Sequence, residues 1–160
     1  MRKVLRLKQT YCILINMDLI VNKLSPNAWL PKKMVNSAGF CIYSRKSYII
    51  PPNSSQIVET GIAVGIPEGF YGEIKSSKKN IMVFEGVIDS DYTGEIKVLV
   101  LNYRNNDPIV VNEADIIAEI LITEIHPGQS LKEHGEMGAL AEPPTKLQKR
   151  GQNGFGSTGK

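Results

Sequence analysis

The chain is poor in several residue types whose abundance would settle its class at once. Of its 160 residues, only two are cysteine, Cys12 and Cys41. That is too few for a disulfide framework and points to a reducing compartment. No apolar stretch approaches the roughly 18 residues of a membrane span; Cys12 to Ile15 and Val98 to Leu101 are among the longest. The net charge of +3 is too small to imply nucleic acid by itself. There are two histidines, His126 and His134, and no His-x-Glu with Cys-x-x-Cys pair. A zinc deaminase is thereby excluded. Neither membrane nor nucleic acid is expected as a partner.

What is present is globular. Hydrophobic residues make up 42% and charged residues 22%, near the averages for folded domains. The length fits one domain. The basic, weakly apolar start is broken by Asn16 and Asp18 and has no small-residue cleavage site, so it is not a signal peptide. Met17 opens a fresh segment. Residues 1–16 read as an extension from an upstream start, and 1–18 as a unit outside the fold.

From Met17 to Ile125 short β-branched runs alternate with turn residues. Strands are expected at Ser47–Ile50, Ile57–Ile66, Tyr71–Ile74, Val83–Ile88, Glu95–Tyr103, Ile109–Val111 and Ile116–Ile125. A helix after Asp115 is the weaker option. Turn signals every 8–15 residues indicate an all-β sandwich or barrel. Beyond His126 half of the 14 glycines fall between Gly128 and Gly159, a tail-like composition.

Two segments stand out. Gly86-Val-Ile-Asp-Ser-Asp-Tyr-Thr-Gly-Glu-Ile96 and Arg150-Gly-Gln-Asn-Gly-Phe-Gly-Ser-Thr-Gly159 lie about 55 residues apart. Together they resemble two motifs of the trimeric deoxyuridine triphosphatases (dUTPases). Ser37-Ala-Gly-Phe-Cys-Ile-Tyr-Ser44, Gly72-Glu-Ile-Lys-Ser-Ser77 and Asp115-Ile-Ile-Ala-Glu-Ile-Leu121 resemble three more, in the same order. Leu24-Ser-Pro-Asn-Ala28 and Ile66-Pro-Glu-Gly-Phe-Tyr-Gly72 are similar as well.

The resemblance implies an all-β, jelly-roll-type β-barrel over 19–126. It implies a mobile glycine-rich C-terminal arm over 127–160, given to a neighbour in a homotrimer with shared sites. It implies hydrolysis of dUTP to dUMP and pyrophosphate with Mg2+, keeping uracil out of DNA and supplying dUMP. Asp89 would activate the water; read alone, Asp89-Ser90-Asp91 is equally a turn. Tyr92 would lie against the deoxyribose and leave no room for a 2′-hydroxyl; read alone, it is a packing tyrosine. Backbone near Phe84, Glu85, Gly86 and Ile88 would read uracil. Lys75, Ser76 and Ser77 would contact the α- and β-phosphates; otherwise they belong to a solvated lysine-rich loop with Lys78 and Lys79. In the arm, Arg150 would clasp the terminal phosphate. Phe155 would stack on the base, and Gly156, Ser157 and Thr158 would donate to phosphate oxygens. A plain linker does not account for an arginine and an aromatic at these spacings.

The phosphate end departs from the family pattern. Cys41 stands where an aspartate helps to hold the waters around magnesium, so no direct metal ligand is assigned. The second motif is shortened. Ile116 replaces an arginine, and Glu119 replaces a glutamine near the phosphates. A carboxylate there, about 4–5 Å from a phosphate charge, would cost roughly 3–4 kcal/mol at an effective dielectric near 20. The alternative is therefore an impaired relative that binds nucleotide or a protein partner. A related dCTP deaminase lacks support, because its extra catalytic residues are missing. The expected location is intracellular, in cytoplasm or nucleus, of the host cell if the source is viral.

Overall fold

The computed structural model describes residues 19–77, 81–126, 151, 152 and 154. The 1–18 extension, Lys78 and Lys79 and most of the 127–160 arm lie outside these residues.

The described residues form strands and loops, with no helix among them. In chain order the strands are β1 (Ile20–Lys23), β2 (Lys32–Lys33), β3 (Phe40–Tyr43), β4 (Tyr48–Ile50), β5 (Ser54–Glu59) and β6 (Ile62–Gly65). They continue as β7 (Phe70–Lys75), β8 (Met82–Val83), β9 (Gly86–Ile88), β10 (Lys97–Asn102), β11 (Ile109–Val111) and β12 (Ile116–Glu124). All pairings are antiparallel. The largest sheet runs β2-β3-β12-β7-β9; a second runs β5-β10-β8; β1 with β6 and β11 with β4 complete the set. The architecture is the expected all-β jelly roll.

Alternation builds the core. In β10, Val98, Val100 and Asn102 point inward, while Lys97, Leu99 and Leu101 face out. In β7, Gly72 and Ile74 point inward between Tyr71, Glu73 and Lys75. Ile42, Ile50, Val58, Ile62, Ile96, Ile117 and Ile120 are fully buried with them. Burying such side chains contributes about 1.5–3 kcal/mol each. The buried Asn102 is satisfied: its amide donates to the Ile50, Pro51 and Asp107 carbonyls, and its Oδ1 accepts from Arg104 N–H at 3.1 Å.

Two expected strands are each two strands. The Ile57–Ile66 run breaks at Thr60-Gly61, where Gly61 adopts φ +70° and a Cβ would lie 2.7 Å from Arg45 Cδ. The Thr60 hydroxyl turns inward and donates to the Ile96 carbonyl. The Val83–Ile88 run breaks at Phe84-Glu85, between β8, which pairs with β10, and β9, which pairs with β7. The segment after Asp115 is the strand β12, which is interrupted at Ile117 by a register shift against β3.

Arg45 and Lys46 both pair with Glu59, at the end of β5. Hydrogen bonds from Lys46 and Arg45 hold its carboxyl below the ordinary value of 4.5. The folded chain thus binds that proton less readily than the unfolded chain. The stabilisation is complete above pH 4.5 and is lost as pH falls through the lower folded value. Glu59→Gln is expected to lower the urea midpoint at pH 7. The gap to wild type should narrow as pH drops below 4.5. A gap that stays constant down to acid unfolding would disprove this role for the carboxylate.

Candidate active site

A cavity of about 320 Å³ opens beside the connection that runs from β9 through the turn 89–91 to β10 and so crosses from the five-stranded sheet to the three-stranded one. Gly86, Val87, Ile88 and Tyr92 supply one wall, Lys97 and Leu99 another, and Gly154 lies at the same cavity. Outward positions of β10 line it because inward positions are spent on the core.

The 89–95 connection is held by local bonds. Tyr92 N–H donates to the Asp89 carbonyl at 3.1 Å, closing the turn. Tyr92 OH donates to the Glu95 carbonyl at 2.8 Å, which folds the ring back over Gly94. A Cβ at Gly94 would lie 2.6 Å from that hydroxyl, so only glycine fits under the ring. Glu95 in turn accepts Gly61 N–H at 2.8 Å and ties the connection to the β5–β6 turn. Asp89, half-buried, sits at the corner between two cavity-lining residues, Ile88 and Tyr92.

Gly151 and Gly154 reach this connection. Gly151 forms a parallel bridge with Tyr92, and its carbonyl accepts Thr93 N–H at 2.7 Å. Gly154 approaches the Tyr92 hydroxyl, 3.3 Å from where a Cβ would stand. These contacts are made within the same chain. Arg150, Phe155, Gly156, Ser157 and Thr158 lie outside the described residues.

The remaining site residues gather on the outer side of the five-stranded sheet. Glu119 of β12 is directly opposite Cys41 of β3 and Lys75 of β7, so all three project to one side. Cys41 is buried, and its thiol is pushed up by burial and then by the Glu119 carboxylate. A neutral, buried thiol is a poor partner for a hard cation. Among the described residues no group of three or more His, Cys, Asp or Glu side chains is placed to hold a metal.

Lys75 is engaged. Its ammonium lies 2.9 Å from Glu85 and 3.2 Å from Glu73. The Glu85 bond, and then the Glu73 bond, push the Lys75 pKa up. Glu73 also accepts Tyr71 OH at 2.7 Å, and the Tyr71 and Lys75 bonds hold its carboxyl low. The two serines differ: Ser76 Oγ donates to the Ile81 carbonyl at 2.7 Å, whereas Ser77 Oγ is buried with no hydrogen-bond partner among the described residues. An orphaned buried hydroxyl is costly and marks a donor available to a ligand.

Glu85, Glu95, Lys97 and Leu99 were not singled out by sequence as site residues for their side chains. The strong alternation from Glu95 to Tyr103 held the signal for the last three, since it places 95, 97 and 99 on one face. Nothing local identifies Glu85, whose role depends on Lys75, ten residues away.

Comparison with known proteins agrees with this geometry. The family model described as dUTPase matches residues 26–159. The probable deoxyuridine 5′-triphosphate nucleotidohydrolase of Schizosaccharomyces pombe is 38% identical over 151 residues, covering 89% of this chain and 99% of that one. The corresponding Fowlpox virus enzyme is 36% identical over 148 residues, covering 89% and 97%. Among solved structures, a mutant dUTPase from phage phi11 of S. aureus, whose structure shows coordination of a structural Mg(II) ion, superposes with a TM-score of 0.68. It is 25% identical and covers 75% of this chain and 98% of that one. The glycine-supported tyrosine beside the cavity and the match over most of the chain lead to one conclusion: this chain belongs to the dUTPase family.

Proposed function

We propose that this protein hydrolyses dUTP to dUMP and pyrophosphate, inside the cell, keeping uracil out of DNA and supplying dUMP. The observation that carries the reading is the cavity at the β9–β10 connection, with Tyr92 held over Gly94 and Asp89 at its corner.

The chemistry requires three things of these residues. Water attacks the α-phosphorus, its proton passes to the Asp89 carboxylate, and the bond to the bridging oxygen breaks with pyrophosphate leaving. Tyr92 lies against the deoxyribose and excludes a 2′-hydroxyl. Backbone around Gly86 and Ile88 reads the uracil edge. Lys75 and Ser77 approach the phosphates, supported by the orphaned Ser77 hydroxyl. The Ser76 hydroxyl already serves Ile81, so Ser76 contributes through its backbone. Glu119 stands beside Lys75 on the phosphate side. Arg150, Phe155, Gly156, Ser157 and Thr158 complete the enclosure, in continuity with Gly151 and Gly154 beside Tyr92. Magnesium, when bound, would neutralise charge on the triphosphate, held mainly by the substrate phosphates and waters.

The assembly we propose is a homotrimer with shared sites. Phe84 and Val87, at the cavity, are 66% and 55% exposed in the single chain. Ile49 and Val110 face each other across β4 and β11 and are exposed too. Such apolar surface favours burial by further copies. A neighbour's segment can make the same backbone contact with Thr93 that Gly151 makes here.

The test is pyrophosphate release from dUTP, UTP and dCTP with magnesium, alongside light scattering. Release from dUTP alone, by a particle of three times the 17.7 kDa chain mass, is expected. A folded protein that releases none overturns the enzymatic reading. A stable monomer at micromolar concentration overturns the trimer.

A further inference from the structure

We propose that Glu85 is a positioning residue for Lys75: from the cavity wall it holds the ammonium beside the cavity when no triphosphate is bound, and must release it when one binds. This rests on the reading of Lys75 as a phosphate ligand. Three observations carry it. Glu85 lines the nucleotide cavity and immediately precedes Gly86 of β9. Its carboxylate is the nearer of the two that hold Lys75, at 2.9 Å against 3.2 Å for Glu73. And the Lys75 side chain is 39% exposed, so the ammonium can move.

Both carboxylates compete with phosphate for one cation, and the unbalanced negative charge stands where a polyanion must arrive. Glu73 has a second partner in Tyr71; among the described residues Glu85 is bonded to Lys75, and of the two carboxylates it is the one that lines the cavity. Losing the Lys75–Glu85 pair therefore subtracts from triphosphate affinity. It takes nothing from the affinity for the nucleoside part. The pair sets how strongly the site prefers a nucleotide with its phosphates to one without. When pyrophosphate leaves, Lys75 returns to Glu85, which favours product release.

The experiment compares wild type, Glu85→Gln, Glu85→Asp, Lys75→Met and the Glu85→Gln/Lys75→Met pair. The probes are a non-hydrolysable imido analogue of dUTP and plain deoxyuridine, with thermal melting to verify folding. Exposed pairs are worth little individually, so Glu85→Gln is expected to tighten the analogue roughly 3- to 10-fold, with deoxyuridine affinity unchanged. Glu85→Asp, which keeps the charge, should behave like wild type. In the Lys75→Met background the gain from Glu85→Gln should shrink to the part due to bulk charge. Unchanged or weaker analogue binding by folded Glu85→Gln overturns the proposal. If Lys75→Met leaves analogue affinity unchanged, Lys75 is not a phosphate ligand. The proposal then falls with that reading, while dUTP hydrolysis stands on its own test.

Discussion

Asp89→Asn is expected to reduce pyrophosphate release from dUTP by about 10²–10⁴-fold, the usual contribution of a positioned general base. The substitution is nearly isosteric. It removes the negative charge and the proton-accepting oxygen and little else. The turn survives it, because the bond that closes the turn uses the Asp89 backbone carbonyl, not its side chain. Tyr92 and the cavity wall should therefore keep their places. The loss should appear in kcat, with affinity for the imido analogue within about threefold of wild type. A rate within tenfold of wild type would move the base to another group. A large loss of analogue affinity would show instead that Asp89 supports the nucleotide's binding.

Gly94→Ala is the second large effect. A methyl group there would meet the Tyr92 hydroxyl at 2.6 Å and the ring carbon Cζ at 2.8 Å. Contacts that short cannot be held, and Gly94 is buried, so the backbone has little freedom to retreat. The ring must swing away and give up its bond to the Glu95 carbonyl. Overpacking of this kind costs about 1–3 kcal/mol of stability. Displacing a group that orients substrate by about 1 Å costs on the order of 10²-fold in rate. The diagnostic is sugar discrimination: kcat/KM for dUTP falls, and its ratio to that for UTP falls with it. A variant that loses stability but keeps the dUTP-to-UTP ratio would show that the ring is only packing.

The strands were legible where one face is buried and the other wet. β10 and β11 alternate cleanly, and β7 and β12 closely enough for their extents to be read. The breaks at Thr60-Gly61 and Phe84-Glu85 were not legible. Each depends on partners distant in sequence: Ile96 for Thr60, and two different sheets for β8 and β9. β1 is mostly exposed and β2 is a pair of lysines, so neither shows a period. The geometry around the motifs was legible where spacing is short: Asp89, Tyr92 and Gly94 share the one connection between β9 and β10. Lys75 was singled out, but not its bonds to Glu73 and Glu85, because folding alone brings residue 85 back to 75. The two serines looked equivalent in sequence, and the Ile81 carbonyl separates them.

The two-residue alternation of β7 and β10 also bears on how such a protein changes over time. Inward residues such as Ile74, Val98 and Val100 hold the barrel. Outward neighbours such as Lys97 and Leu99 line the cavity, and Lys75 projects to the same outer side as Glu119. Selection can act on one set with little correlated response in the other. A lineage can therefore alter its outward side chains, even to the point of a new task, while inheriting the scaffold unchanged.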